Sequence, residues 1–145
     1  PRFRLVWRWN PDRARKLIRE RRLENVDLVA GYVEDMKALY DAAHAVILPA
    51  LEADSFKPCP HSGLHSLAHG KPLLVSRAAS IAGIVEREQC GVVFEPTVDS
   101  LCKAATHLAA NYDDYQVNAF RTLERKFSRS GFIDRYGELY RSMLV

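Results

Sequence analysis

Short apolar runs alternate with amphipathic stretches along most of the chain. Runs such as Phe3–Trp7, Val26–Ala30 and Ala45–Leu48 are rich in Val, Ile, Leu and aromatic residues, which is typical of β-strands. The third of these runs is apolar without alternation, as expected for a parallel strand buried on both faces. Two further runs, Pro72–Ser76 and Gly91–Phe94, bring the prediction to about five strands.

Between these strands the apolar residues recur at helical spacing. Helices are predicted at about Pro11–Leu23, Val33–Ala43, Ser62–His69, Ser80–Glu88, Val98–Asn111, Tyr115–Phe127 and Phe132–Leu144. Strands that alternate with helices across short Gly/Pro turns predict an α/β, doubly wound, Rossmann-like parallel sheet with helices on both faces and a helical C-terminus. We expect one domain over residues 1–145, with ligands outside the C-terminal ends of the strands.

Composition narrows the class of protein further. Of the 145 residues, 48% are apolar and 27% are charged, as in soluble globular domains. Three cysteines at irregular spacing predict free thiols in a reducing compartment, so we expect a cytoplasmic protein. No leader is visible, and no apolar run approaches the roughly 20 residues of a membrane helix. The start at Pro1 suggests a fragment of a longer protein.

A basic run between Arg13 and Arg22 is the densest charge feature. Nucleic acid or anionic lipid could bind such a run. Glu20 interrupts this run, however, Glu24 follows it, and no aromatic residues are interleaved. A solvated helix face is therefore the preferred interpretation, and we expect no nucleic-acid partner.

The stretch from Lys57 to Ser76 contains the candidate chemistry. A tight loop enters a short helix there, and the first amides of a helix are free to donate while the helix dipole adds positive charge. The backbone N–H groups of Ser62, Gly63 and Leu64 could therefore bind a diphosphate. The residues alone favour an ordinary capped helix without a ligand.

Three histidines in this stretch raise the question of a metal. His61, His65 and His69 are spaced four residues apart, and Cys59 is close in sequence. On one continuous helix they would share a face, as metal ligands do. The predicted helix is short, His61 precedes it and no fourth ligand is well placed. We therefore expect no metal and no cofactor.

Several segments follow one another along the chain at a recognisable spacing: Asn25–Val33, Leu39–Pro49, Ser66–Ser76, Gly91–Pro96 and the tail Phe132–Tyr140. In this order they are similar to the C-terminal half of a group 1 (family 4) glycosyltransferase. The resemblance favours phosphate contact at the start of the helix that follows Lys57, by Ser62, Gly63 and Leu64, over a plain capped helix. The resemblance implies the GT-B arrangement of two Rossmann-like domains, of which this chain would be the donor-binding one. It further implies a UDP-, GDP- or ADP-sugar as donor and transfer with retention. The N-terminal acceptor domain would be missing, and a lipid or glycan acceptor would bring peripheral membrane contact.

The same resemblance assigns roles to individual residues. The family carries two glutamates in this region, and Lys57 and His65 stand at the matching positions. They are the catalytic candidates, with His65 as a ribose or sugar contact. The segment Gly31-Tyr32-Val33 is similar to the family's base-binding loop, although a plain strand-to-helix turn has nearly equal weight. Arg8, just past a strand end, could reach phosphate, but a solvated arginine is the simpler interpretation.

Two alternative functions remain open at this point. A catalytically inactive domain that keeps the fold would explain His65, and a Rossmann-like phosphosugar isomerase or epimerase would share the architecture. The resemblance also predicts a gap in the sheet, because the family's first strand has no counterpart here. The gap would lie beside Phe3–Trp7 or Ala45–Leu48. Direct pairing of those strands, a partner chain or another segment would have to close it.

Overall fold

A computed structural model describes residues 1–53 and 59–144 of the chain. The residues form two compact units, Pro1–Ala38 and Leu39–Val145. In chain order the elements are β1 (Phe3–Trp7), α1 (Asp12–Glu20), β2 (Val26–Ala30), α2 (Met36–Asp41), β3 (Val46–Leu48), α3 (His61–Ala68), β4 (Leu73–Ser76), α4 (Ala82–Glu88), β5 (Gly91–Phe94), α5 (Val98–Ala110), α6 (Tyr112–Phe127) and α7 (Arg129–Met143).

The first unit is built on a two-stranded parallel sheet. β1 pairs with β2 along its whole length, from Phe3 opposite Val26 to Trp7 opposite Ala30. At the start of the pair, Arg2 donates to both carboxylate oxygens of Asp27, at 2.9 and 3.1 Å. None of the residues of α1 is buried. This unit therefore has little core of its own.

The second unit contains the core. Strands β3, β4 and β5 pair side by side in parallel. Leu73 and Val75 point to a cluster that includes Leu67 of α3 and Val85 of α4, whereas Leu74 packs in a second cluster with residues of α5. Because successive side chains of a strand face opposite ways, helices cover both faces of this sheet. The predicted α/β fold with parallel strands and a helical C-terminus is thereby confirmed.

The strands do not form one continuous sheet. They fall into two sheets, one with the order β1-β2 and one with the order β3-β4-β5. The direct pairing of Phe3–Trp7 with Ala45–Leu48 that could have closed the predicted gap is not among the strand pairs of residues 1–53 and 59–144. One edge of β1 and one edge of β3 therefore keep backbone groups without a neighbouring strand among the described residues.

Several helix ends differ from the prediction by a few residues. α1 begins one residue after the predicted Pro11, which is its N-cap, and the preceding Asn10 has a left-handed φ of 47°. α2 begins three residues late, where Asp35 Oδ1 accepts a hydrogen bond from the Ala38 amide at 2.9 Å. α7 begins three residues early, because Ser128 caps it by accepting from the Gly131 amide.

The last helix carries a stripe of apolar side chains that is not buried. α7 contacts α6, and none of its residues is buried. The rings of Phe132 and Tyr136 lie 4.4 Å apart, and Tyr136 approaches Tyr140 at 6.3 Å. All three side chains are about half exposed. The stripe therefore packs mainly against itself.

Candidate functional site

The start of α3 lies at the carboxyl end of the second unit's sheet. Gly63 is buried there, and a Cβ at this position would meet Leu48 Cδ1 of β3 at 3.4 Å and Ile81 Cδ1 at 3.5 Å. The first turn of α3 therefore packs close to the end of β3 and to the entry to α4. This is the edge where ligands of parallel sheets bind.

The amides of this first turn are only partly used within the protein. Pro60 is the N-cap, in an extended conformation with φ −68° and ψ 128°, and no side chain of the described residues caps the helix. The carbonyl of Pro60 accepts from the Gly63 amide at 2.9 Å and from the Leu64 amide at 3.3 Å. For the amides of His61 and Ser62, no acceptor is found in the described part of the chain. Those two are the donors most available to an anion.

His65 lies on an exposed part of α3, one turn further on. Its ring stacks on Tyr40, with centroids 5.8 Å apart and planes inclined by 24°. The same tyrosine stacks on His69 at 5.3 Å, and burial raises the pKa of the Tyr40 phenol. His69 Nδ1 lies 2.8 Å from Asp41 Oδ1. The histidines are thus held by aromatic and polar contacts to the end of α2.

The other catalytic candidate, Lys57, lies outside the described residues. Cys59, which follows at the end of that stretch, is half-buried, and burial raises the pKa of its thiol. Within residues 1–53 and 59–144, no three His, Cys, Asp or Glu side chains are grouped so that they could hold a metal ion.

In the first unit, the loops that follow β1 and β2 carry the remaining candidates. Gly31 has φ +90°, which glycine adopts readily, and its amide donates to the Trp7 carbonyl at 3.1 Å. The ring of Tyr32 is exposed, and Val33 is half-buried. The Arg8 guanidinium carbon lies 5.9 Å from the centre of the Tyr32 ring. Arg8 and Tyr32 therefore lie side by side at the end of this sheet.

Sequence comparison places the chain in a family. Residues 5–111 match the family of glycosyl transferases group 1. The chain belongs to this glycosyltransferase family. A search of curated proteins finds no match.

Solved glycosyltransferase structures share the fold. Sucrose-phosphate synthase from Thermosynechococcus elongatus is 21% identical with a TM-score of 0.76, over 97% of this chain and 38% of that one. AviGT4, a glycosyltransferase involved in avilamycin A biosynthesis, is 22% identical with a TM-score of 0.75, over 99% and 43%. The catalytic domain of starch synthase IV from Arabidopsis thaliana is 16% identical with a TM-score of 0.64, over 98% and 38%. The chain therefore spans about two fifths of the length of these proteins.

Arg77 is a residue of this glycosyltransferase chain that the sequence analysis missed. It follows β4 directly, and its guanidinium donates to both carboxylate oxygens of Glu86 at 3.2 Å and to Glu95 at 3.2 Å. These hydrogen bonds raise the pKa of Arg77 and lower the pKa of Glu86. A charged residue immediately after a buried parallel strand was the available signal. Its bonds tie the loop after β4 to α4 and to the residue after β5.

None of the helices in the described ranges is long and apolar enough to span a lipid bilayer.

Proposed function

We propose that this chain is the donor-binding part of a retaining glycosyltransferase and that it binds the diphosphate of a nucleotide-sugar at the start of α3. Family membership supports glycosyl transfer in general. The single observation that supports diphosphate binding is the first turn of α3. There the amides of His61 and Ser62 meet no acceptor among the described residues, at the carboxyl edge of the sheet. Gly63 and Leu64 stay in the proposal, but a phosphate would compete with the Pro60 carbonyl for their amides.

The chemistry that this arrangement offers is electrostatic. When the bond from the sugar to the diphosphate breaks, negative charge grows on the leaving nucleoside diphosphate. Fixed backbone donors and the positive end of a helix stabilise that charge without reorganising during the reaction. Because Gly63 is buried beside Leu48 and Ile81, the first turn of α3 is packed against the sheet before the donor arrives. This pre-organisation is the protein's expected contribution to the rate.

The donor and the acceptor are proposals that rest on the relatives. The starch synthase structure is described as bound to ADP and acarbose. We therefore propose a UDP-, GDP- or ADP-sugar as the donor, with the base near Gly31, Tyr32 and Val33 and with Arg8 toward phosphate. We propose that the protein is cytoplasmic and that a lipid or glycan acceptor brings it to the periphery of a membrane.

Sugar transfer should require a second domain. Transfer needs the acceptor within near-attack distance of the anomeric carbon, and closure of a facing domain that excludes water. This chain covers about two fifths of the glycosyltransferases it resembles. We propose that an N-terminal acceptor domain supplies the rest and that residues 1–145 alone bind the donor without sustained transfer. Incubation with labelled nucleotide sugars and candidate acceptors tests this, and sustained turnover by the chain alone would contradict it.

The decisive experiment removes one backbone donor and controls separately for the side chain that is lost with it. His61 is the first residue of α3, where proline is favoured, and Pro60 already has the extended conformation that a following proline requires. His61→Pro therefore deletes the His61 amide without breaking the helix. His61→Ala is the matched control, because it removes the same side chain and keeps the amide. Calorimetric titration with UDP, GDP and ADP measures both.

We expect at least one of these nucleotides to bind the wild type and His61→Ala with similar affinity. Binding to His61→Pro should weaken by roughly 10-fold to 150-fold, the range for a charge-assisted hydrogen bond. Equal affinity of the two variants would show that the α3 amides do not hold the diphosphate. Absence of binding to the wild type by all three nucleotides would contradict the proposal as a whole.

A second experiment restores the carboxylate of the family at His65. His65→Glu should bind the nucleotide-sugar more tightly, because a carboxylate accepts from ribose hydroxyls better than a neutral imidazole does. His65→Gln is the control, since it loses the same stacking on Tyr40 without gaining charge. We expect the glutamate variant to bind up to roughly 100-fold more tightly than the glutamine variant. Equal or weaker binding would remove His65 from the donor site.

The occupation of position 65 by histidine also favours a second candidate function. A domain that keeps the glycosyltransferase fold but has lost transfer would tolerate an exposed His65 stacked on Tyr40. The longer protein that contains this chain distinguishes the two. Suppose that the longer protein binds a nucleotide-sugar without transferring sugar, while its His65→Glu variant transfers sugar to an acceptor. That result would identify this chain as a catalytically inactive domain.

A further inference from the structure

Two aromatic rings project into solvent at the carboxyl end of the first unit's sheet. Trp9, two residues after β1, is 76% exposed, and Tyr32, two residues after β2, is 77% exposed. Both follow neighbouring parallel strands, since Trp7 pairs with Ala30 in register. Large aromatic side chains bury well over 100 Å² each when they find a partner. Two such rings exposed together at the end of a sheet indicate a surface that binds a ligand.

Arg8 joins the two rings. Its guanidinium carbon lies 5.3 Å from the centre of the Trp9 ring and 5.9 Å from the centre of the Tyr32 ring. Both distances are within the range of cation–π attraction. Among the residues that the structure describes, no carboxylate pairs with Arg8. The result is an exposed aromatic surface with one positive charge that no acid among the described residues neutralises.

The backbone fixes both loops that carry this cluster. Asn10, directly after Trp9, has φ +47°, and Gly31, directly before Tyr32, has φ +90°. The Gly31 amide donates to the Trp7 carbonyl at 3.1 Å, which continues the β1–β2 hydrogen bonding into the turn. A hydrogen-bonded turn on one side and a left-handed residue on the other set the direction in which each ring leaves its strand. The surface is therefore prepared before a ligand binds.

We infer that Trp9, with Tyr32 and Arg8, forms a stacking platform for a nucleobase, and that Trp9 sets how strongly the base is held. This inference rests on the proposed function and adds a base-stacking residue to it. A nucleobase presents a π-face that stacks on aromatic rings, and the nucleotide carries the anionic groups that a free arginine attracts. A neutral sugar can stack on the two rings but has no anionic group to bind the Arg8 guanidinium.

The two tryptophans of the chain make the test direct. Trp7 and Trp9 are the only ones in the sequence, so Trp7→Phe leaves Trp9 as the single fluorophore. Trp7 lies in β1, and phenylalanine keeps an aromatic ring there. UDP, GDP and ADP are titrated into the full chain carrying this change, with inorganic pyrophosphate and sucrose as probes that lack a base. We expect the nucleotides, and neither of the other probes, to change Trp9 fluorescence.

Affinity measurements on three further variants complete the test. Trp9→Leu and Tyr32→Leu should each weaken nucleotide binding by roughly 5-fold to 100-fold, the range for loss of one base–aromatic stack. Trp9→Phe should retain most of the affinity because it keeps a stacking ring. Pyrophosphate should bind all of them as it binds the wild type, since it makes no stacking contact.

The outcomes separate this inference from the function on which it rests. Nucleotide binding that weakens in His61→Pro but leaves Trp9 fluorescence and the Trp9→Leu affinity unchanged would overturn the platform and leave the proposed function standing. Quenching by sucrose equal to that by nucleotides would overturn the assignment to a nucleobase. Absence of nucleotide binding altogether would overturn both.

Discussion

The two sheets of this molecule are both built from short apolar runs but have very different surroundings. In β4, Leu73 and Val75 are fully buried, whereas in β1 Phe3 is 39% and Trp7 is 45% exposed. β4 has a strand on each side and helices on both faces. β1 has one partner strand, and the helix that follows it buries none of its residues. The comparison teaches that an apolar run identifies a strand but does not say how deep the strand lies.

The largest expected effect comes from a backbone contact in the buried sheet. A Cβ at Gly91 would collide with the backbone oxygen of Leu73 and would lie 2.7 Å from its nitrogen. These atoms belong to the neighbouring strand, so neither can move without separating β4 from β5. Gly91→Ala should therefore lower the free energy of unfolding by at least about 3 kcal/mol, or prevent folding. Urea unfolding followed by circular dichroism measures the loss.

Gly83→Ala is the matched control for that substitution. Gly83 lies in α4, where a methyl group added to its Cα would meet no atom of the described residues within 4 Å, and its φ is not positive. Alanine is a better helix former than glycine, so this variant should gain about 0.5–1 kcal/mol. Similar effects of the two alanines would mean that β4 and β5 are not as close as the structure has them.

Truncation of one apolar side chain in each sheet should separate the two regions next. Leu73→Ala removes a fully buried side chain and should cost about 2–5 kcal/mol. Val6→Ala, at a position 42% exposed, should cost less than about 1 kcal/mol because most of the transfer free energy was never gained. Both tryptophans lie in the first unit, so their fluorescence reports on that unit while circular dichroism follows the helices. Equal losses would contradict the difference in burial.

Much of this fold could be predicted from the sequence. The strand positions agree because continuous apolar runs bounded by Gly and Pro are a strong local signal. Helix ends were less predictable, since they depend on which residue caps the helix. Nothing in the sequence distinguishes Asp35 and Ser128 from other polar residues, and only the structure shows that their side chains accept from the Ala38 and Gly131 amides. The exposure of β1 was not predictable, because it depends on what packs against the strand.

The candidate site was predictable only in part. The start of α3 was identified from a loop, a helix and a strand in sequence order, and the structure has it at the sheet edge. That Pro60 would occupy the Gly63 and Leu64 amides could not be read from residue types, because it depends on the geometry of the first turn. The Trp9–Arg8–Tyr32 cluster brings together residues more than 20 positions apart, and pairing of β1 with β2 is what joins them.

Helix capping gives a smaller contrast between the two units. Thr97 caps α5 of the second unit by accepting from the Ser100 amide at 3.3 Å, and Ser100 Oγ accepts from the Glu95 amide at 3.0 Å. α1 of the first unit has no side-chain cap among the described residues. Thr97→Ala should therefore cost about 1 kcal/mol. Asp12→Ala in the first turn of α1 should cost less than about 0.5 kcal/mol, and urea unfolding of the two variants would contradict this if the order were reversed.

The smallest expected effects come from exposed ion pairs, and pH distinguishes them. Hydrogen bonds from Arg77 lower the pKa of Glu86 in the second unit, and hydrogen bonds from Arg2 lower the pKa of Asp27 in the first. A carboxyl group whose pKa is lower in the folded state stabilises above its unfolded pKa, and this stabilisation is lost as pH falls through the folded value. The ordinary pKa of a glutamate side chain is 4.5. The stabilisation from Glu86 should therefore be complete at pH 7 and should disappear as the pH falls below 4.5.

Melting temperatures from pH 7 to pH 3 test this for wild type, Arg77→Gln and Arg2→Gln. Each variant should melt below the wild type at pH 7, and the difference should shrink in acid because the protonated carboxyl no longer gains from the arginine. The loss should be larger for Arg77, which bonds two carboxylates from different elements, than for Arg2, which bonds one. Added salt should reduce both, since the pairs are exposed. A difference that persisted unchanged at pH 3 would show that Arg77 acts by packing and not by its charge.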